Sequence, residues 1–267
     1  MRRALYVFCL TKDGLAHSLA GPGLEEGHPL RLHGLGGLAA VACPVSLADF
    51  SGAEAEARLR DTAWLLPRLC RHEEVVERAM SLSPVLPLRF GTIFSSPEAL
   101  ARRVRPHQGA IAEFLAKAAG REEWAVKGYW NKAQALERLC QEKRQLEAGR
   151  LAALGPGQRY FEEKKLAAAA QEELGRRLRR SCEATGQALA RQAAEFLPRN
   201  LLSADSGGDG HEMVVNWAFW VPRGKLEDFQ ALLRREQAAN SAQGLLWECS
   251  GPWPPYSFAP CLEDREA

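Results

Sequence analysis

Short apolar runs with strand character alternate along the chain with longer segments of helical spacing. Residues 5–10 are apolar, β-branched and aromatic, and read as a first core strand. Two further strands, around residues 30–35 and 38–44, meet at Gly36-Gly37, a hairpin turn. Ser51-Gly52-Ala53-Glu54 has the spacing of a capping box. It opens helical sequence that continues to about Met80, with a break near Pro67. The run VLPLRFGTIF, residues 85–94, is apolar at both alternating sets of positions, as a strand covered on two faces requires. Ser96-Pro97-Glu98 then supplies an N-cap, a proline at the first helical position and an acidic first turn. That helix runs to about Ala119, bent at Pro106.

Gly120-Arg121 reads as a domain boundary, giving domains 1–119 and 120–267. Residues 122–130 (EEWAVKGYW) are a strand, followed by two helical segments, 132–154 and 159–196, separated by Gly155-Pro156-Gly157. In the second, Leu166, Ala170, Leu174, Leu178, Cys182, Leu189, Ala193 and Phe196 draw one stripe along a helix. Such a helix, about 55 Å long at 1.5 Å per residue, wants a partner, and the preceding helix is nearest. The pattern predicts an antiparallel, coiled-coil-like helical hairpin over residues 132–196. A Gly/Ser/Asp loop (SADSGGDG, residues 203–210) leads to a strand at 213–221, a helix at 225–239 and a strand at 245–250. The tail GPWPPYSFAP, residues 251–260, ends the second domain. Strands separated by helices that cover a face imply an α+β fold with two domains.

Arg89 interrupts an otherwise apolar run, and the local pattern leaves two readings open. It is either a buried arginine that needs a partner or one that snorkels into solvent where the strand emerges. Glu73 and Glu77, spaced i, i+4 on a helix that ends just before this run, suggest a partner, as does His72.

The chain has 267 residues, 46% of them apolar and 25% charged, with a net charge of +2, so its bulk field argues for neither nucleic acid nor an anionic membrane. Seven cysteines are scattered with no CxxC pair, which fits a reducing cytoplasm better than a disulfide framework or a zinc site. MRRALYVFCL is too short for a signal peptide, and no apolar run approaches the length of a membrane span. A cytoplasmic protein is expected.

Chemistry-bearing motifs are sparse. There is no glycine-rich dinucleotide or phosphate loop, no H-E-x-x-H and no G-x-S-x-G, so no cofactor, catalytic or metal residues are assigned. His28 and His33 with Glu25 and Glu26 stand at no standard ligand spacing. Only His72, Glu73, Glu77 and Arg89 form a group that an enzyme acting on a small molecule could use. Arg176, Arg177, Arg179 and Arg180 are flanked by Glu172, Glu173 and Glu183 and read as a solvated helix face. The tail either is a polyproline ligand or folds back over the sheet; local sequence leaves both open.

Four stretches taken in order carry a resemblance: YVFCL, His72 followed by VLPLRFGT, EWAVKGYW with GPGQRYFEEKK, and MVVNWAFWV ending in GPWPPYSF. Together they resemble the GvpL/GvpF family of gas vesicle proteins. The resemblance implies an N-terminal α+β domain of modified ferredoxin-like type and a C-terminal ferredoxin-like α+β domain carrying the helical hairpin. It implies a non-enzymatic accessory or minor structural role in assembling gas vesicles, the hollow protein shells that give buoyancy. The implied partners are the small hydrophobic shell protein GvpA and other accessory proteins. His72, Arg89, Phe90, Gly91 and Thr92 match the family motif and read as architectural: a buried-strand arginine, a core aromatic, and a glycine where backbone approaches closely. Arg89 is then expected to hold the helix of His72 and Glu73 against the strand. Trp220, Trp253, Tyr256 and Phe258 are the candidate partner-binding aromatics. A coiled-coil adaptor working through the hairpin is the competing reading.

Overall fold

The computed structural model of the chain describes residues 3–14, 19–201 and 210–262. His17 and, but for Gly210, the expected loop over residues 203–210 lie outside the described residues. The chain divides into two compact units: residues up to Glu123 together with those from Pro252 on, and Trp124–Gly251.

The first unit holds β1 (Arg3–Lys12), β2 (Arg31–Gly34), β3 (Leu38–Ser46), α1 (Ala53–Arg60), α2 (Thr62–Leu82), β4 (Val85–Pro87), β5 (Ile93–Phe94), α3 (Pro97–Val104) and α4 (Gln108–Ala118). Its sheet runs β2-β3-β1-β4, with β5 also paired to β1, and every ladder is antiparallel. β1 is central and buried from Ala4 to Thr11, so both of its faces are covered. Tyr6, Phe8 and Cys9 pack with Val75, Val76 and Ala79 of α2. Helix α4 packs on β1 and β4, with Ile111 and Leu115 fully buried. The hairpin forms as its glycines predict: Gly36 and Gly37 have φ of 72° and 86°, and Leu35 N–H donates to the Leu38 carbonyl at 2.7 Å. Ser96 caps α3 by accepting from the Ala99 N–H, and the bend at Pro106 is a single 3₁₀ turn, Arg105–His107.

Three local expectations are corrected here. The helical stretch breaks at Asp61, not Pro67, because the Asp61 carboxylate accepts from the Ala63 N–H and caps a new helix that runs through Pro67. No capping box forms at Ser51, whose hydroxyl donates instead to the Leu47 carbonyl. Residues 85–94 are not one strand. β4 pairs with Cys9–Thr11 and β5 with Leu5 and Tyr6, and between them the chain turns out over a bulge in β1, where the register with β3 slips between Val7 and Cys9.

The second unit is built on β6 (Arg121–Trp130), α5 (Lys132–Leu146), α6 (Ala148–Ala152), α7 (Pro156–Ala190), β7 (Glu195–Pro198), β8 (Glu212–Pro222), α8 (Leu226–Asn240) and β9 (Leu245–Trp253), with strand order β7-β8-β6-β9. The helical hairpin is present. Lys143 pairs with Glu173, and Arg150 further along pairs with Glu162 earlier in α7, so the two arms run antiparallel. Ala170, Leu174 and Leu189 of the predicted stripe are buried with Ala135 and Leu139 of α5. The stripe does not continue to Phe196. α7 ends at Ala190, and residues 195–198 pair as β7 with Trp217–Trp220 of β8, because Phe196 stacks on Phe219 at 4.8 Å between ring centroids. Pro198 would also have broken a helix there.

Candidate functional site

The candidate site of the first unit gathers around the turn between β4 and β5. Arg89-Phe90-Gly91-Thr92 is a β-turn: the Thr92 N–H and hydroxyl both reach the Arg89 carbonyl, at 3.1 and 2.6 Å. Gly91, third of the four, has φ of 84°, the sign a type II turn demands at that position. A Cβ there would meet nothing within 4 Å, so the glycine serves the turn's conformation, not a close backbone approach as expected. The turn is pinned to β1 at both ends, Leu88 N–H donating to the Phe8 carbonyl (2.9 Å) and Val7 N–H to the Thr92 carbonyl (3.0 Å).

Beneath the turn lies His72, 1% exposed. Its ring stacks on Phe8 with centroids 5.5 Å apart and meets the edges of Tyr6 and Phe90. Nε2 lies 3.0 Å from the Leu88 carbonyl, which can only accept, so Nε2 carries the proton and Nδ1 accepts from the Tyr6 hydroxyl at 2.8 Å. Tyr6 in turn receives the Gly91 N–H at 3.3 Å. On the other side Tyr256 comes in from the tail. Its hydroxyl donates to Glu73 Oε1 at 2.9 Å and lies 3.1 Å from His72 Nε2. Burial pulls the His72 pKa down to about 4, with the Leu88 carbonyl pulling weakly the other way, so the imidazole is neutral at physiological pH. Burial raises the Glu73 pKa, the Tyr256 hydroxyl opposes that rise, and exposed Glu77 adds to it. Both imidazole nitrogens are therefore spent on protein groups.

Arg89 is exposed and, among the described residues, forms no ion pair, so it does not hold α2 against a strand. His72 does that work: its imidazole binds Leu88, and its ring packs on Phe90. Phe90 is the expected core aromatic, lying 5.9 Å from Tyr6 and 6.2 Å from Phe50. Tyr6 was missed from sequence, although a tyrosine in an otherwise apolar strand always raises the question of where its hydroxyl goes.

The tail belongs to the first unit, not the second as expected. Besides Tyr256, Ser257 donates twice to the buried Glu123 carboxylate, from N–H at 3.0 Å and from its hydroxyl at 2.8 Å. Pro254 and Pro255 are buried. Tyr256 and Phe258 are half-buried, so the tail folds back on its own unit. Trp253 is 41% exposed. Trp220 is 1% exposed, within the second unit, which removes it as a contact surface.

Between the turn, α3 and the tail opens a cleft of about 390 Å³. Leu10, Phe94, Leu100 and Val104 give it apolar walls, Arg89 and Arg103 line it, and Leu88 and Tyr256, both fixed by His72, complete it. No Asp or Glu is among its described lining residues. Elsewhere, among the described residues no group of three His, Cys, Asp or Glu side chains is placed to hold a metal; Glu25 pairs with Arg68 and His28. Arg176 and Arg177 pair with Glu172 and Glu173 one turn away, as a solvated helix face does. No described helix is long and apolar enough to cross a membrane.

Comparison with known proteins gives a consistent result. The family described as "Gas vesicle synthesis protein GvpL/GvpF" matches residues 4–260. The chain is 28% identical to gas vesicle protein L of Streptomyces sp. (strain CB03234), over 98% of this chain and 95% of that protein. It is also 28% identical to gas vesicle protein F of the same strain, over 71% of this chain and 76% of that one. The crystal structure of gas vesicle protein GvpF from Anabaena sp. PCC7120 superposes with a TM-score of 0.69 at 18% identity, covering 97% of each chain, a likeness of fold.

Proposed function

The chain belongs to the gas vesicle synthesis protein GvpL/GvpF family, and from that premise we propose that it is a non-enzymatic accessory or minor structural protein that binds the hydrophobic shell protein GvpA. In this reading it works in the cytoplasm and at the gas vesicle, helping to nucleate the shell or to chaperone its subunit. The observation that carries the gas vesicle role is the family match across residues 4–260. The physical argument for binding is that a very apolar shell subunit self-associates through its strand edges and apolar faces before a shell can nucleate, so an accessory protein must cover them. That the polar groups around His72 are committed to one another, as a structural core would commit them, supports a non-enzymatic reading.

Strand order supports the finer fold assignment. β7-β8-β6-β9, with α5–α7 after β6 and α8 after β8, has the order expected of a ferredoxin-like second domain. The first sheet has the matching order β2-β3-β1-β4 but an antiparallel β1–β3 pair and no helix among the described residues between β1 and β2, which suits a modified version.

The competing reading, an adaptor acting through the hairpin, draws support from its tip, where Leu146, Tyr160 and Phe161 are 86%, 55% and 65% exposed. Other accessory proteins are the natural partners for that patch. Co-purification with the cognate shell protein tests the main reading, with an unrelated aggregation-prone peptide as control. Selective, stoichiometric capture is expected. Absence of capture while both proteins remain in solution contradicts it.

A further inference from the structure

We propose that the cleft between the Arg89–Thr92 turn, α3 and the tail binds an apolar polypeptide segment that carries a carboxylate. Identifying that segment as part of the shell protein rests on the function proposed above. The cleft's volume, about 390 Å³, lies in the range of ligand-binding pockets and suits two or three side chains rather than an extended surface. Its composition selects the ligand class. Leu10, Phe94, Leu100 and Val104 offer walls that a hydrated ion would not use, so a free anion is a poor match. A wholly apolar segment is equally poor, because seating it would strip water from Arg89, which forms no ion pair among the described residues. An apolar segment with one Glu or Asp satisfies both, since a guanidinium fork holds a carboxylate with two parallel hydrogen bonds. Arg89 is well placed for this: it is exposed, forms no ion pair among the described residues, and is presented by a turn whose backbone is fixed at Gly91 and Thr92.

The walls are also held in advance. Leu88 and Tyr256 both meet His72 at the same nitrogen, Nε2, so little ordering remains for the ligand to impose. This explains why a motif with no catalytic chemistry joins a histidine, a type II turn and a proline-rich aromatic tail. Together they shape one binding wall.

The test uses the full chain, its Arg89→Glu and Arg89→Lys variants, and two short amide-capped peptides of sequence LVELV and LVKLV. Nuclear magnetic resonance titration reads the backbone amides of Gly91 and Thr92, and co-purification reads capture of the cognate shell protein. The wild type should prefer LVELV. Arg89→Glu should reverse that preference and weaken shell-protein capture about tenfold, while Arg89→Lys keeps the preference. A preference unmoved by Arg89→Glu, or no response to either peptide, overturns the cleft assignment. Equal capture of the shell protein by wild type and Arg89→Glu also overturns it while leaving the proposed function intact. The expected peptide response without any capture by the wild type overturns the proposed function and leaves the cleft chemistry standing.

Discussion

His72 joins β1, the chain just before the turn, and the tail through one side chain. In the unfolded chain it takes up a proton near its ordinary value of 6.5, whereas burial defers that event in the folded protein to about pH 4. The stability tied to this difference is present in full above pH 6.5 and is lost as pH falls toward 4, about 3 kcal/mol in all. Glu73 works the other way, since its raised pKa costs stability as pH rises through it. Unfolding midpoints of wild type and His72→Gln measured from pH 7.5 to 4 separate the two, and the wild type alone should show the His72 loss. Tyr256→Phe removes the hydroxyl that Glu73 accepts, and should lower stability by about 1–2 kcal/mol in denaturant titration. Gly91→Ala should cost about 1–2 kcal/mol from its positive φ alone, since no atom obstructs the new methyl. Arg89→Leu, in contrast, should move stability by no more than about 0.5 kcal/mol, as an exposed side chain without a charge partner would. The sequence marked His72 and the RFGT motif as architectural but misplaced Arg89 and Gly91, because alternation along VLPLRFGTIF looks the same for a continuous strand and for two short strands flanking a turn. The clue that separates them is Gly91: glycine weakens a strand interior and is required at the third position of a type II turn.

At the scale of elements, local signals settled most boundaries wherever a specific side chain fixes them. Gly36-Gly37 made its hairpin, Ser96-Pro97 opened α3, and Gly155-Pro156 closed one arm of the hairpin and began the next. Some misses were local, as at Asp61 and Ser51, and others arose where a partner distant in sequence decided the outcome. Phe196 fits the helical stripe of α7 by spacing, yet its ring stacks on Phe219 in the neighbouring strand and its backbone pairs with Phe219 of β8. Gly128 in EWAVKGYW illustrates the same dependence. By propensity alone alanine would improve a strand, but a Cβ at Gly128 would lie 2.9 Å from the Trp247 ring and 3.0 Å from Val215 Cβ. Trp247 and Val215 are both buried in the second unit's core, so neither can retreat. Gly128→Ala should therefore destabilise that unit by about 1–3 kcal/mol, read as a lower midpoint in thermal or denaturant unfolding.

For the molecule as a whole, four motif stretches pointed to the GvpL/GvpF family, and the family match over residues 4–260 bears that membership out. The proposed binding site was not legible in the sequence. Its walls come from β1, the turn, α3 and a tail more than a hundred residues further on, and no spacing rule links Leu100 or Arg103 to Tyr256. Of the candidate aromatics, Tyr256 donates to Glu73 within the first unit, and Trp220 is core. In the proposed reading, the cleft's apolar walls and the Arg89 guanidinium receive the shell subunit. Gas vesicle formation in cells lacking the native gene tests this most directly, scored by pressure-sensitive turbidity after complementation with wild type or with Arg89→Glu of matched abundance and melting temperature. The wild type should restore vesicles, and Arg89→Glu should leave the cells largely without them. Equal vesicle yield from the two proteins would contradict it.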